Sequence, residues 1–441
     1  MGQRMFTRAV LLGSLLWAQL ASAITEEMRD LVNFETKANA VALRSNEKQI
    51  ISHYEIPLEL LEADVAKNVD PHYLKALTFV RDGVRYVRWV LNPEDTKWEA
   101  TIQKFLRHNG IEPIKKTHFE GYMTASRSYI LVDPATGSEF SLKTSTDRTG
   151  GYWADKQQTW DDAAQIRKIS DYVAERLKSQ PPLQHSIILY EPVAFGIFNF
   201  DMGMIVRSYE GLSNSGKSYV PGFSVLHDKV GRELALANGS SDPAQYWNEN
   251  YNKPLARALA EFFLATGIRY DSPHSQNFLV ELDANKKPTG KIVLRDFGDA
   301  YLYEKFFEAN RRLDVVRIWE SKNILTGEPG MGVGTLHGNM PPTWIDFVND
   351  TKSSTSYDQW GRDFFAEFEA EIKRQTGIEV ESRSDVVRTV VVNKETGEKR
   401  KLGYFNKQYT LFEKADFLKL VSRDHQRNTS AARLCRSVFL H

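Results

Sequence analysis

The sequence predicts an α+β fold, with antiparallel sheets and helical lobes. Two observations predict it: strand–turn–strand patterns recur along the chain, and long segments carry apolar side chains at helical spacing. The chain has 441 residues, which is enough for two or three lobes with well-buried cores. Its 57 basic and 57 acidic residues cancel, so no overall charge favours binding to nucleic acid or to an anionic membrane.

The first 23 residues have the pattern of a secretory signal peptide. Arg4 and Arg8 precede an apolar run at 9–17, and residues 21–23 (Ala-Ser-Ala) form a small-x-small cleavage site. The apolar run is well short of the about 20 residues that a membrane anchor needs. We therefore expect a mature chain that begins near Ile24, has no membrane span after cleavage, and is periplasmic or secreted.

The rest of the chain divides into three segments. Residues 24–118 are expected to form a mostly helical N-terminal lobe, 119–305 an α/β region, and 306–441 a mostly helical C-terminal lobe with a β-hairpin. Cys435 is the single cysteine, which excludes an intramolecular disulfide and a cysteine metal cluster. The core alone must then stabilise this large protein.

The α/β region begins with a predicted hairpin. Strands at 122–132 and 139–145 flank the turn-forming sequence Asp-Pro-Ala-Thr-Gly at 133–137. A helix follows, with apolar residues at spacings of three and four between Ile166 and Leu177. Strands are expected next at 186–190 and 204–209.

Two apolar stripes predict the principal helices of the second half. The first starts at 241–243 (Ser-Asp-Pro) and ends at Gly267, with Pro254 expected to kink or split it. Its buried positions are Trp247, Tyr251, Leu255, Leu259 and Phe262. The second stripe is Trp360, Phe364, Phe368 and Ile372, closing at Gly377, and a second hairpin is expected at 386–392 and 401–405.

Residues 211–218, GLSNSGKS, match the pattern of a phosphate-binding P-loop. Such a loop needs a helix that begins at its Lys-Ser pair, because the helix N-terminus and backbone N–H groups bind the phosphate. Here Pro221 and Gly222 follow, and both oppose helix propagation. We therefore interpret the segment as a surface turn in which Lys217 is dispensable.

The segment at 274–300 carries the clearest chemistry. Two apolar strands, 278–282 and 291–295, flank a polar turn, and pairing Leu282 with Lys291 would place Asn277 opposite Asp296 at the open end. A carboxylate and an amide oxygen are hard ligands that suit Mg²⁺ together with substrate phosphates. Protein kinases place an Asn and the Asp of an Asp-Phe-Gly turn in this way. A purely structural hairpin end with Asx turns is the alternative.

The motifs of this region, taken together, resemble those of the NRPS-independent siderophore (NIS) synthetases of the aerobactin-synthetase type. The resemblance covers about residues 120–305, and it implies an NIS-synthetase-like fold with a remote kinase-like resemblance in the ATP-binding region. The motifs that carry it are His274-x-Gln276-Asn277, Arg295-Asp296-Phe297-Gly298, Met123–Ser128 (MTASRS), Phe140–Thr149 (FSLKTSTDRT), Met204–Arg207 (MIVR) and the helix that leads to Gly267-Ile268.

The resemblance implies an ATP- and Mg²⁺-dependent ligase of siderophore biosynthesis. Such enzymes activate a carboxylate, usually of citrate, as an acyl adenylate, and an amine or hydroxyl nucleophile then displaces AMP. Cations and a metal would stabilise the negative charge that develops. The implied catalytic residues are Lys143, Arg148, Arg207 and His274; the implied nucleotide-binding residues are Ser126, Arg127, Thr146, Gln276, Asn277 and Asp296, of which Asp296 and Asn277 would also bind magnesium.

Two other functions remain open on the sequence. One is an exported kinase-like phosphotransferase, although Asp271 lies six residues before Asn277 rather than the five of the kinase catalytic loop. The other is a secreted binding protein that retains the fold and an anion pocket without turnover. The signal peptide favours the binding protein, whereas the His-x-Gln-Asn and Asp-Phe-Gly elements favour the ligase.

Overall fold

The computed structural model describes residues 24–38, 46–124, 127–148, 155–270, 275–319, 324–325, 330–332, 342–345, 357–379, 382–392 and 399–409. The chain divides into two compact units. The first comprises residues up to Asp171 together with Leu189–Val220, and the second comprises Tyr172–Ile188 together with the chain from Pro221 onward. The predicted signal peptide and Cys435 lie outside the described residues.

The described part contains eleven α-helices and nineteen strands. The helices are α1 (Glu26–Ala38), α2 (Pro71–Leu77), α3 (Lys97–His108), α4 (Trp160–Lys178), α5 (Gly222–Val225), α6 (Asp228–Ala237), α7 (Pro243–Trp247), α8 (Lys253–Thr266), α9 (Glu304–Ala309), α10 (Leu313–Val316) and α11 (Tyr357–Thr376). The strands are β1 (Gln49–Pro57), β2 (Glu62–Val65), β3 (Thr78–Arg81), β4 (Val84–Val90), β5 (Lys116–Met123), β6 (Ser128–Val132), β7 (Glu139–Thr144), β8 (Ser186–Ile188), β9 (Val193–Ile197), β10 (Met202–Ser208), β11 (Ser218–Pro221), β12 (Ile268–Tyr270), β13 (Phe278–Leu282), β14 (Pro288–Leu294), β15 (Ala300–Tyr303), β16 (Ile324–Leu325), β17 (Gly330–Gly332), β18 (Ser382–Val392) and β19 (Lys399–Tyr409).

A nine-stranded antiparallel sheet dominates the first unit. Its strand order is β2-β9-β10-β7-β6-β5-β1-β4-β3, and every neighbouring pair is antiparallel. One face carries a continuous apolar core, to which α2 contributes Tyr73 and Leu77 and α3 contributes Phe105. Alternate residues along β7 and β10 point into this core, so the residues between them lie on the opposite face.

The structure differs from the mostly helical lobe expected over 24–118. This segment supplies four complete strands and the start of β5, and β5 crosses the expected boundary at 118/119. The polar, Arg-containing strands β3 and β4 form an edge hairpin whose apolar alternation is weak. Their turn has positive φ at both Asp82 (52°) and Gly83 (79°), the geometry of a two-residue hairpin turn. The Asp-Gly pair is the sequence signal from which this hairpin could have been predicted.

The expected strand at 122–132 is two strands. β5 ends at Met123 and β6 starts at Ser128, because Thr124 turns the chain: its N–H and its hydroxyl both donate to the Ser128 carbonyl, at 3.1 and 2.8 Å. The hairpin that follows is confirmed, since β6 and β7 pair around the predicted turn, with Val132 opposite Glu139.

The second unit combines helices with three small sheets. In these, β13 pairs antiparallel with β14, which pairs parallel with β8; β12 and β16 flank β15; and β17 and β18 flank β19. Both predicted apolar stripes are confirmed as buried, and α11 ends at Gly377 in the left-handed conformation (φ 74°). The predicted second hairpin is confirmed as β18 and β19. Pro254 splits the first predicted helix into α7 and α8.

The fold class is thus confirmed as α+β with antiparallel sheets. Among the helices that the structure describes, none combines the length and the apolar character needed to cross a membrane.

Candidate functional site

The predicted site residues fall into both units, and each group is described within its own unit. The first unit contains Arg127, Lys143, Thr146, Arg148 and Arg207, and the second contains Gln276, Asn277 and Asp296. Ser126 and His274 lie outside the described residues.

Lys143 and Arg207 lie on the same face of neighbouring strands. Lys143 on β7 is opposite Ile205 on β10, and Ser141 is opposite Arg207. Because directly opposed residues share a face and residues two apart share it too, both cations lie on the face opposite the apolar core. The structure therefore brings these two predicted residues together on two interior strands of the sheet.

The Arg207 side chain forms a buried ion pair. It is 6% exposed, and its Nη2 and Nε lie 2.7 and 3.2 Å from Oε1 of Glu191. The Glu191 side chain is also buried, and its backbone N–H donates to the Ser170 hydroxyl at 2.8 Å. Glu191 was not anticipated from the sequence. The Glu191 carboxylate already neutralises the positive charge of Arg207, which the sequence predicted to bind a ligand anion.

The loop after β7 is fastened to the segment at 155–158. Thr146 exchanges two backbone hydrogen bonds with Lys156, at 3.0 and 2.8 Å, and Arg127 donates to the Gln157 carbonyl. The Thr146 hydroxyl accepts from the Arg148 N–H at 3.1 Å. Arg148 itself is 62% exposed at its side chain, so of these residues it presents the most accessible charge.

Two aspartates that the sequence did not single out hold the same loop. Asp147 accepts from the N–H and hydroxyl of Thr96, at 3.1 and 2.8 Å, and donates its own N–H to Asp95 Oδ1 at 3.1 Å. Asp95 also accepts from Glu99 N at 2.6 Å, at the start of α3. Burial raises the pKa of Asp95 to about 6, despite the N–H groups that donate to it. An Asp placed just before a helix was the signal for this contact.

This pKa predicts a pH-dependent stability. The folded state holds the Asp95 proton more tightly than the unfolded state, so the contribution of this group is present below about pH 4 and is lost as the pH rises to about 6. The loss amounts to about 3 kcal/mol. In Asp95→Asn this dependence should vanish, so the variant should gain stability relative to wild type between pH 4 and pH 7, as measured by urea unfolding. A difference that stays constant across this range would contradict the assignment.

The GLSNSGKS loop binds carboxylates of the protein itself. The Gly216 N–H donates to Glu27 Oε1 and the Ser218 hydroxyl to Asp30 Oδ2, both at 2.7 Å, and both acceptors lie on α1. The Ser213 hydroxyl donates to Glu139 at 2.7 Å. β11 begins at Ser218, where a P-loop would begin a helix. The interpretation of this segment as a turn that is not a P-loop is supported.

We expect Lys217→Ala to leave any nucleotide binding unchanged. The loop lacks the helix N-terminus that a P-loop requires, and its backbone already donates to Glu27. Equilibrium binding of ATP to the folded variant measures this, with circular dichroism as the check on folding. A loss of ATP binding by the folded variant would restore the P-loop interpretation.

In the second unit, the hairpin register differs from the predicted one. Phe278 pairs with Leu294 and Leu282 with Pro288, so Asn277 is opposite Arg295, and the expected pairing of Leu282 with Lys291 is wrong. The reason is a bulge, in which the single residue Glu281 faces Thr289–Lys291, with Gly290 at φ 84°. A one-residue slip in register reverses which face of the sheet a strand residue occupies. Asn277 and Asp296 are therefore not the directly opposed pair that the sequence predicted.

Arg295 holds the turn that carries the predicted nucleotide residues. Its Nε and Nη2 both donate to the Gln276 carbonyl, at 2.9 and 2.7 Å, and its N–H donates to the Asn277 carbonyl at 3.1 Å. Asn277 is 2% exposed and ends the 3-10 turn Ser275–Asn277. Arg295 is part of the Arg-Asp-Phe-Gly motif but was assigned no role from the sequence. It fixes the backbone of Gln276 and Asn277.

Asp296 follows the strand in an uncommon backbone conformation. Its φ of 67° and ψ of 78° lie in the left-handed region, where Asp is among the few tolerated side chains. Its Oδ1 accepts from the Gly298 N–H at 3.3 Å, which begins the turn Phe297–Asp299. Phe297 is buried and stacks on Phe262, at 6.2 Å between ring centroids. The buried ring thus anchors the turn that orients the Asp296 carboxylate.

The donor chemistry of Asp296 and Asn277 fits Mg²⁺, which takes one or two protein oxygens and completes its shell with waters and phosphates. The part of the chain that the structure describes contains no group of three or more His, Cys, Asp or Glu side chains placed to hold a metal by itself. A metal held here would therefore depend on waters and substrate phosphates for the rest of its coordination.

Solved structures of other proteins have a similar architecture. The chain is similar to the crystal structure of the petrobactin biosynthesis protein AsbB from Bacillus anthracis str. Sterne, with a TM-score of 0.51 and 13% sequence identity. The similarity covers 70% of this chain and 60% of AsbB, so this chain spans less than two thirds of the length of that protein.

Two further structures come from a hypervirulent pathotype of Klebsiella pneumoniae. Aerobactin synthetase IucC has a TM-score of 0.45 at 11% identity, covering 76% of this chain and 60% of IucC; ATP-bound aerobactin synthetase IucA has a TM-score of 0.43 at 12% identity, covering 63% and 54%. No protein-family model and no curated protein sequence matches the chain. On the AsbB comparison, this chain has the α+β fold of the NIS synthetases.

Proposed function

We propose that this protein is an ATP- and Mg²⁺-dependent ligase of siderophore-synthetase type. It activates a carboxylate of a citrate-like polycarboxylate as an acyl adenylate, and an amine or hydroxyl nucleophile then displaces AMP. The observation that carries the proposal is the conjunction of an NIS-synthetase fold with the paired turns at Gln276–Asn277 and Asp296–Gly298, which Arg295 ties together.

The proposed role of each residue follows from the chemistry of its side chain. Arg127, Lys143 and Arg148 supply positive charge for the polyphosphate and the polycarboxylate, and the Thr146 hydroxyl donates to phosphate oxygen. Asn277 binds the nucleotide, and Asp296 holds the metal. When bound, Mg²⁺ spreads the negative charge that develops as the phosphate bond breaks.

The resemblance also assigns roles to Ser126, Gln276 and His274. Ser126 and Gln276 contact the nucleotide, and His274 is catalytic. These roles rest on the motif resemblance.

We also propose that the protein is exported, because its first 23 residues have the pattern of a signal peptide. Its partners are then small molecules in the periplasm or outside the cell, with no nucleic acid among them. A non-catalytic binding protein of this fold is the second candidate, and the buried Arg207–Glu191 pair favours it, because that pair engages one of the implied catalytic residues.

Product analysis tests the proposal. The purified protein is incubated with ATP, MgCl₂, citrate and a panel of amines and amino alcohols. Release of AMP and pyrophosphate that depends on citrate supports the ligase. Release of ADP would show a phosphotransferase, and binding of citrate without nucleotide turnover would show a binding protein; either result would overturn the ligase.

A further inference from the structure

The helical segment between Pro243 and Thr266 contains a π-turn at Asn248–Asn252. Pro254 is the second residue of the helix that follows. It has no N–H to donate to the carbonyl four residues earlier, and a π-turn is one way for a helix to pass such a gap. π-Turns inside α-helices occur frequently at functional sites. This turn carries Tyr251.

The buried hydroxyl of Tyr251 has no hydrogen-bond partner among the residues that the structure describes. The side chain is fully buried, and within the described part of the chain its oxygen has no donor or acceptor. Burial raises the pKa of Tyr251, so the group is a neutral donor at physiological pH. Buried polar groups are nearly always paired, and an unpaired one costs free energy that a Phe of the same shape would avoid.

This hydroxyl lies beside the turn that carries the proposed nucleotide residues. A Cβ added to Gly222 would overlap the Tyr251 hydroxyl oxygen, and it would lie 2.7 Å from the Ser275 carbonyl oxygen. Both oxygens therefore face the same small space next to Gly222, which only glycine fits. Ser275 is the first residue of the Ser275–Asn277 turn.

We propose that Tyr251 is a positioning residue for nucleotide binding, whose hydroxyl donates to the Ser275 carbonyl once a nucleotide engages Gln276 and Asn277. Arg295 already fixes the Gln276 carbonyl with two hydrogen bonds. The Tyr251 hydroxyl secures the other end of the turn only in the bound state, so its hydrogen bond contributes to affinity rather than to the stability of the free protein. This inference rests on the proposed function.

The first test is Tyr251→Phe. The melting temperature of the free variant should be equal to or higher than that of wild type, because an unpaired donor has been removed. Its dissociation constant for Mg-ATP should rise about ten-fold, and KM for ATP should rise with little change in kcat. Tyr246→Phe is the matched control: Tyr246 lies in α7, packs edge-on against Trp247, and should leave ATP binding unchanged.

A second test uses Gly222→Ala in both backgrounds. In wild type the new methyl group clashes with the Tyr251 hydroxyl and the Ser275 carbonyl oxygen. In Tyr251→Phe the hydroxyl is absent, so the methyl group meets only the Ser275 carbonyl oxygen and the aromatic ring. The loss of ATP affinity from Gly222→Ala should therefore be smaller in the Phe background.

Wild-type ATP affinity in Tyr251→Phe, or strictly additive effects of the two changes, would overturn the role of Tyr251 while leaving the ligase proposal intact. Absence of ATP binding by wild type would instead refute both.

Discussion

Replacing Asp296 with Asn is expected to reduce Mg²⁺-dependent ATP binding by about 100-fold and to abolish release of AMP. The change keeps the shape of the side chain and removes the one negative charge proposed to hold the metal. Asn tolerates the left-handed backbone (φ 67°) and can still accept from the Gly298 N–H. Folding should therefore be preserved, with a stability change of at most about 1 kcal/mol.

Titration of both proteins with ATP, with and without MgCl₂, measures the effect. Asp283→Asn is the control, because Asp283 lies at the other end of the same hairpin, where Oδ1 accepts from the N–H groups of Asn285 and Lys287 at 2.8 and 2.9 Å. Binding of citrate in the absence of metal should be the same in all three proteins. Equal Mg²⁺ dependence in wild type and Asp296→Asn would leave the Asp with only its turn-capping role.

The hairpins and the long helices could be predicted because their signals are local. Alternating apolar residues around a Pro- and Gly-containing turn were enough for β6 and β7, and the stripe from Trp360 to Ile372 was enough for α11. The register of β13 and β14 was not predictable in this way. It depends on a bulge opposite Glu281, and Gly290 alone did not reveal how many residues the bulge contains.

The predicted site shows the same division between local and distant information. The motifs identified residues that lie together, such as Lys143 with Arg207 and Gln276 with Asn277. They could not identify partners that are distant in sequence, such as Glu191 for Arg207 or Tyr251 beside Ser275. Whether a cation is available to a ligand depends on such partners, because the protein's own carboxylate competes with the ligand.

Replacing Arg207 with Met is expected to destabilise the protein by about 3–5 kcal/mol. Both side chains of the Arg207–Glu191 pair are buried, and the variant deprives the Glu191 carboxylate of the Arg207 guanidinium. Replacing both partners, in Arg207→Met/Glu191→Leu, removes both charges and should restore most of the stability. Denaturant unfolding of the two variants measures this. Arg148→Met is the control and should change stability by about 0.5 kcal/mol or less, because its side chain is 62% exposed.

The double variant also separates the two roles of Arg207. Since it is expected to fold, its affinity for citrate reports on ligand binding alone. If Arg207 exchanges Glu191 for a substrate carboxylate during turnover, the double variant should be stable yet should have lost citrate binding and AMP release. If Arg207 serves only to neutralise Glu191, citrate binding should persist, and the anion site is then formed by Arg127, Lys143 and Arg148. A single variant as stable as wild type would contradict the buried ion pair itself.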